Sequence, residues 1–111
     1  MNEPRIDRAV FAELQAAAGA DFVAELIDTF IQEAPAMLGE LRAARAEGAA
    51  DRFRRAAHSL KSNANTFGAA ELARLARDLE LGGLPGDVTS VDALAAAFDA
   101  AAVELKALRY G

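Results

Sequence analysis

Alanine accounts for 29 of the 111 residues and dominates the apolar part of this chain. Hydrophobic residues make up 53% of the sequence, yet only six are Phe, one is Tyr and none is Trp. Alanine is the best helix former and fills little volume, so this composition favours helices that pack closely together. A β-sandwich or barrel of this length would need many more Val, Ile, Thr and aromatic residues. The composition therefore predicts an all-α protein.

Apolar residues recur at three- and four-residue steps in five segments, which predicts five amphipathic helices. The first helix is short and ends at Gly19. The second is predicted to begin at a cap on Asp21 and to run to about Ala46, with a kink at Pro35. The third and fourth helices are predicted over residues 50–66 and 70–81. A loop of residues 82–87 follows, and Thr89 or Ser90 is predicted to cap the last helix.

Each apolar stripe is interpreted as a surface that faces the core. The second helix has a main stripe of Phe22, Leu26, Phe30, Met37 and Leu41, and a neighbouring flank of Val23, Ile27, Ile31 and Leu38. The later stripes are Phe53, Ala57, Leu60, Ala64 and Phe67; then Leu72, Leu75, Ala76 and Leu79; then Val91, Leu94, Phe98, Ala101, Leu105 and Leu108. Tight turns between such helices make sequential neighbours antiparallel. We therefore predict one domain over residues 1–111, an antiparallel up-down four-helix bundle with a short additional N-terminal helix.

Composition and charge exclude several classes of function. The chain has no Cys and one His, so thiolate or paired-imidazole metal sites and thiol nucleophiles are excluded, and no metal is expected. A net charge of −5 argues against nucleic acid as a partner. The longest apolar run, residues 93–98, is too short to span a membrane, and charged residues near the N-terminus argue against a signal peptide. We expect a cytoplasmic protein without a membrane segment.

The single histidine, His58, is predicted to lie on the outer face of the third helix. On a helical wheel of about 100° per residue it falls roughly 140° from the core direction set by Phe53. Four polar residues fall within about 60° of His58 on the same wheel. They are Arg54, Lys61, Ser62 and Asn65. His58 is therefore predicted to be exposed between two cations and two small polar groups.

The surroundings of His58 suggest an anionic reaction partner. A neutral imidazole is a nitrogen nucleophile that needs no separate base, and nearby cations favour a phosphoryl group as the electrophile. Arg52, Arg54 and Arg55 also crowd the start of this helix, where the helix dipole disfavours positive charge. That cluster indicates either an anionic partner or a solvated basic edge. The chain has no Gly-rich phosphate loop, so a phosphoryl group would have to come from another protein.

The run of residues 57–62 resembles the histidine-containing phosphotransfer (HPt) domain family. In that family the histidine is followed by a hydrophobic residue at position two, a lysine at three, usually a glycine at four, a glycine at ten and Glu or Gln near twenty-two. His58, Leu60, Lys61, Gly68 and Glu80 match this spacing. Ser62 departs from it, since glycine is more usual there. The family fold, a four-helix up-down bundle with a short N-terminal helix, covers the whole chain.

The resemblance implies a role for each matching residue. His58 would accept a phosphoryl group on Nε2 from a receiver-domain phosphoaspartate or a kinase, and would pass it to another receiver. Lys61 would stabilise the phosphoryl oxygens. Glu80, on the adjacent helix, would hold the Nδ1–H group. Gly68 is interpreted as the turn that ends the helix.

The resemblance also implies the partners. These would be response-regulator receiver domains and a hybrid or sensor histidine kinase, which the face formed by Arg54, Ser62 and Asn65 would contact. The chain would be a monomeric phosphoryl carrier and not an enzyme, without an ATP-binding site or cofactor of its own, and Mg²⁺ would sit on the receiver.

Two other classes of protein compete for the same residues. The dimerising histidine domain of a sensor kinase usually has an acidic residue directly after the histidine and a proline a few positions later. Ser59 stands at the first place and no proline follows nearby, which argues against that class. A non-catalytic helical adaptor that has kept the HPt fold remains the alternative.

Overall fold

The computed structural model describes residues 5–109, which form five helices. They are α1 (Arg8–Ala18), α2 (Ala20–Glu47), α3 (Ala50–Phe67), α4 (Ala70–Gly82) and α5 (Thr89–Arg109). All five predicted helices are present, with ends within a few residues of those expected. The prediction of one domain over residues 1–111 stays a prediction, because residues 1–4 and 110–111 lie outside the described range.

Helices α2 to α5 form an antiparallel four-helix bundle, and α1 packs against α2 and α3. Ion pairs between neighbouring helices show the directions. Arg42 near the end of α2 bonds Asp92 at the start of α5, whereas Asp28 near the start of α2 bonds Arg109 at the end of α5. The predicted fold class is therefore confirmed.

The core is built from a few large side chains set among alanines. Phe30 stacks on Phe67 with ring centroids 5.4 Å apart and meets Phe98 edge-on at 5.5 Å. No polar or charged side chain is fully buried within residues 5–109. The completely buried alanines are Ala34, Ala44, Ala57, Ala64, Ala69 and Ala76. Because these side chains are small, the helix backbones can approach closely, as the composition predicted.

The predicted main stripe of α2 is wrong at its start. Phe22 is 52% exposed, although it was expected in the core. The buried face instead follows Val23, Ile27, Phe30, Ala34, Leu38, Leu41 and Ala44. This face takes residues from both predicted flanks, so it runs between the main stripe and its neighbour. Phe30 and Leu41 come from the main stripe, and Val23, Ile27 and Leu38 from the neighbouring flank.

Two predicted caps are also wrong. Asp21 lies inside the first turn of α2, where Gly19 occupies the cap position without a side-chain hydrogen bond. Thr89 is already the first residue of α5, and the Oδ1 atom of Asp87 accepts a hydrogen bond from its backbone N–H at 3.0 Å. Pro35 lies inside α2, which continues past it. An acidic residue just outside or just inside a helix stabilises its N-terminus in either case.

The turn between α3 and α4 is fixed by the N-terminal segment. Gly68 ends α3 with φ 77°, in the left-handed region, and its backbone N–H bonds the last carbonyls of the helix. The N–H of Asp7 donates to the carbonyl of Gly68 at 2.7 Å. A Cβ atom at Gly68 would lie 3.0 Å from both the carbonyl oxygen of Asp7 and the Cβ of Val10. The start of α1 therefore rests directly on the turn that sets α4 against α3.

Candidate functional site

His58 lies on the solvent side of α3, as the helical wheel predicted, and its side chain is 55% exposed. The opposite side of the helix is buried and holds Phe53, Ala57, Leu60 and Ala64. The spacing of these apolar residues leaves His58 no place in the core. The ring is therefore accessible to another molecule.

Glu80 connects His58 to Lys61 across the boundary between α3 and α4. Its Oε2 atom lies 2.5 Å from Nδ1 of His58, and its Oε1 atom accepts a hydrogen bond from Nζ of Lys61 at 2.6 Å. The Glu80 side chain is only 12% exposed and that of Lys61 is 25% exposed. The Glu80 carboxylate thus binds both the His58 ring and the Lys61 ammonium group. Of these three side chains, the His58 ring is the most exposed.

The helix packing explains how Glu80 reaches the histidine. Ala73 and Ala76, two turns and one turn before Glu80 on α4, are buried, as are Ala57 and Ala64 on α3. Small side chains on both helices let the backbones approach each other. The antiparallel turn at Gly68 then brings Glu80 opposite His58.

The hydrogen bond from Lys61 lowers the pKa of Glu80 below its ordinary value of 4.5, against an opposing effect of partial burial. The hydrogen bond with His58 lowers the pKa of Glu80 further. The carboxyl group is therefore ionised near neutral pH and can only accept hydrogen bonds. Nδ1 of His58 must then carry the hydrogen, and in the neutral ring Nε2 keeps its lone pair.

We expect Glu80→Gln to weaken the acid sensitivity of folding. A carboxylate with a lowered pKa in the folded state stabilises the protein above its unfolded pKa, and this stabilisation is lost as the pH falls through the folded value. In urea unfolding, the loss of stability between neutral pH and about pH 3 should be smaller in Glu80→Gln than in the wild type. Asp99→Asn is the control, since within residues 5–109 no ion pair of this exposed carboxylate is found. An equal loss in the wild type and Glu80→Gln would contradict the lowered pKa.

The structure brings together His58, Lys61 and Glu80, but not the three predicted partner-binding residues. Arg54 lies 3.7 Å from Asp51 in an ion pair, and Ser62 and Asn65 are exposed. The backbone carbonyl of Ser62 accepts a hydrogen bond from Thr66, and that of Asn65 accepts one from the Gly68 N–H. In the described part of the chain, none of these three side chains bonds the central group.

The arginine cluster at the start of α3 is not a single basic patch. Arg52 donates two hydrogen bonds to Glu40 of α2, at 3.0 and 2.7 Å, and one to Glu47. These partners raise the pKa of the guanidinium above its ordinary value. Arg52 therefore joins α2 to α3. The interpretation of the cluster as a site for an anionic partner is weakened, because one of its three arginines is already bound to carboxylates of the same chain. The antiparallel pairing of α2 with α3 is the sequence signal that could have predicted the ion pairs of Arg52 with Glu40 and Glu47.

The described residues give no sign of a metal centre or a membrane segment. Across residues 5–109, no three His, Cys, Asp or Glu side chains come together as metal ligands do. None of the five helices combines the length and the apolar character needed to cross a bilayer.

Comparison with known proteins identifies the family. The family model of the Hpt domain matches residues 25–104, which include His58, Lys61 and Glu80. The chain belongs to the Hpt domain family. A search of curated proteins found no match. This Hpt domain is also similar to the crystal structure of histidine-containing phosphotransfer protein B (HptB) from Pseudomonas aeruginosa PAO1, with 28% sequence identity, 98% of this chain and 97% of that chain covered, and a TM-score of 0.86.

Family membership and the structural similarity together give the function of this Hpt domain. It takes part in histidine phosphotransfer within a phosphorelay, as a carrier and not as an enzyme in the usual sense. Hpt domains interact with receiver domains and kinases, which defines the general class of its partners. Both findings agree with the resemblance seen in the sequence.

Proposed function

We propose that Nε2 of His58 is the atom that carries the phosphoryl group. The observation that supports this most directly is the 2.5 Å contact between Nδ1 and Glu80. It occupies one ring nitrogen with a hydrogen bond and leaves the other with a lone pair on an exposed ring. His58 is also the only histidine in the chain.

The transfer step follows from these positions. Nε2 attacks the phosphorus of a receiver phosphoaspartate, the N–P bond forms, and the P–O bond breaks with its electron pair going to the aspartate carboxylate. The ring becomes positively charged and keeps its Nδ1–H, which the ionised Glu80 stabilises. Attack by the aspartate of a second receiver reverses the step and restores neutral His58.

Lys61 is proposed to stabilise the phosphoryl oxygens. In the unphosphorylated protein its ammonium group is bound to Glu80 at 2.6 Å, one turn along α3 from His58. The long lysine stem allows this group to turn towards an anion bound on the ring while staying near Glu80. A phosphoryl group placed on Nε2 would bring such an anion close.

We expect Lys61→Ala to slow transfer from a phosphorylated receiver about tenfold or more, because a cation that stabilises the transition state is lost. The fold should persist, since the pair with Glu80 is partly exposed. Lys106→Ala removes the only other lysine, on α5, and is the matched control. Equal single-turnover rates in the two variants would remove Lys61 from the mechanism.

The remaining proposals concern the surroundings of the site. Arg54, Ser62 and Asn65 would contact the partner, and the small side chain of Ser62 leaves the ring accessible where glycine is more usual. The domain would act as a monomer in the cytoplasm, without an ATP-binding site or cofactor of its own and without nucleic acid. Mg²⁺ would act on the receiver, and a hybrid or sensor histidine kinase would supply the phosphoryl group upstream.

The test is transfer from a radiolabelled phosphorylated receiver domain to the purified protein. We expect label that is labile in acid and stable in base, as a phosphoramidate bond is. The label should move on to a second, unphosphorylated receiver. Absence of transfer from every receiver domain of the source genome would contradict the proposal and support a helical adaptor.

A further inference from the structure

The end of α4, which carries Glu80, is not closed by a backbone hydrogen bond. Helices α1, α2 and α3 each end at a glycine whose N–H donates to a carbonyl of the preceding turn. Gly83 ends α4 with φ 75° and ψ −171°, and within residues 5–109 no such bond from its N–H is found. A last turn without these bonds frays more easily. Glu80 lies in that turn, residues 79–82, so its position depends on what holds the segment that follows.

Arg45, in the last turn of α2, holds the loop between α4 and α5, residues 83–88. Its Nε atom donates to the carbonyl of Pro85 at 3.2 Å, and its Nη2 atom donates to that of Gly86 at 2.6 Å. No backbone N–H of residues 5–109 is found to bond either carbonyl. Hydrogen bonds from a charged donor are stronger than those between neutral groups. Arg45 is therefore the main polar anchor of this loop.

This anchor reaches the end of α4 from a helix that does not pack on α4. Within residues 5–109, α2 and α4 both pack against α3 and α5 but not against each other. Gly86 follows Gly83 by three residues, which span roughly 10 Å at full extension. Bonds at Pro85 and Gly86 therefore restrict how far the last turn of α4 can move. The other end of the loop is fixed by Asp87, whose Oδ1 atom accepts from the Thr89 N–H at 3.0 Å.

We propose that Arg45 is a positioning residue for the histidine site: by anchoring the α4–α5 loop it keeps the last turn of α4, and with it Glu80, beside His58. The inference rests on the proposed function, because the orientation of Nδ1 matters only if Nε2 reacts. Without Arg45 the last turn would open more often, and Glu80 would leave Nδ1 for part of the time. The neutral ring would then place its hydrogen on either nitrogen.

The experiment follows the ring of the single histidine and the amide hydrogens of residues 79–82 by NMR of the unphosphorylated protein. For Arg45→Ala we expect these amides to exchange about tenfold faster, because charged hydrogen bonds that oppose local opening are lost. The ring nitrogen signals should shift towards those of a mixture of both tautomers. Arg42→Ala is the matched control, since Arg42 lies one turn earlier on α2 and bonds Asp92 of α5, not the loop. Arg45→Lys keeps a charge and a donor and should show the same changes at a smaller size, even if Arg45→Ala does not fold.

Labelling by phosphoramidate gives a second readout that needs no partner protein. It should be about threefold slower in Arg45→Ala, because the reactive tautomer is populated for only part of the time, and unchanged in Arg42→Ala. Amide exchange and ring signals that stay at the level of Arg42→Ala in both Arg45 variants would overturn the proposal. The packing of Leu84 against the core would then be what holds the loop. Slower labelling with an unchanged ring would overturn it too.

Failure of the proposed function would appear differently. It would show as a wild type that neither phosphoramidate nor a phosphorylated receiver domain labels. The NMR comparison needs no phosphoryl transfer, so it would still decide whether Arg45 positions Glu80.

Discussion

His58→Gln is expected to abolish phosphoryl transfer completely. No other imidazole exists in the chain, and an amide nitrogen has no lone pair that can attack phosphorus. The assay is the transfer of label from a phosphorylated receiver domain. No transferred label should be detectable in His58→Gln, whereas Lys61→Ala should lose only part of the transfer rate.

The fold should survive this substitution. The His58 side chain is 55% exposed and its described hydrogen bond is to Glu80, which keeps Lys61 as a second partner. We expect the helical circular dichroism and the urea midpoint to stay close to those of the wild type. Ser59→Ala, next to His58 on the exposed side, is the control that should retain transfer. Acid-labile label on a folded His58→Gln protein would place the acceptor elsewhere.

Gly68→Ala is expected to destabilise the fold more than the same substitution at any other glycine that ends a helix. An L-residue in the left-handed region costs about 1–2 kcal/mol, and forcing a methyl group into a closely packed place costs roughly 1–3 kcal/mol more. The new Cβ would lie 3.0 Å from the Asp7 carbonyl oxygen and from the Val10 side chain. The start of α1 would have to move away from the α3–α4 turn.

Gly48→Ala is a matched control for this effect. Gly48 ends α2 with φ 70°, close to the 77° of Gly68, but nothing lies within 4 Å of the place that its Cβ would take. Urea unfolding should therefore show a loss of about 1–2 kcal/mol for Gly48→Ala and a clearly larger loss for Gly68→Ala. Equal losses of stability in the two variants would mean that the start of α1 does not pack against the α3–α4 turn in solution.

The helices and the exposure of His58 could be predicted because both follow from short-range periodicity. A stripe at three- and four-residue steps defines the buried side of α3, and His58 is then placed outside by helix geometry alone. The meeting of His58 with Glu80 could also be expected. They lie ten residues before and twelve residues after Gly68 in the sequence, so an antiparallel turn there sets them opposite each other.

Contacts between distant helices were less predictable, because several pairings satisfy the same pattern. Phe22 belongs to one of two apolar flanks of α2, and the buried face takes residues from both flanks, as the buried Phe30 and Ile27 show. Arg52 groups with Arg54 and Arg55 in the sequence, although its partners Glu40 and Glu47 lie on α2. Sequence spacing on one helix carries no information about which carboxylates the next helix brings near.

The bond between Lys61 and Glu80 was likewise not anticipated. The resemblance assigns Lys61 to the phosphoryl group and Glu80 to the ring, as separate roles. In the folded protein one carboxylate serves both, with 2.6 Å to Nζ and 2.5 Å to Nδ1. The site is therefore a coupled group of three side chains, in which a change to Glu80 affects both neighbours.

The central claim, that Nε2 of His58 carries the phosphoryl group, can be tested directly by NMR of the phosphorylated, isotope-labelled protein. One histidine gives one imidazole spin system, so the assignment is unambiguous. We expect phosphorus–nitrogen coupling to Nε2, with a hydrogen retained on Nδ1 beside Glu80. Coupling to Nδ1, or phosphorus attached to any residue other than His58, would contradict the account.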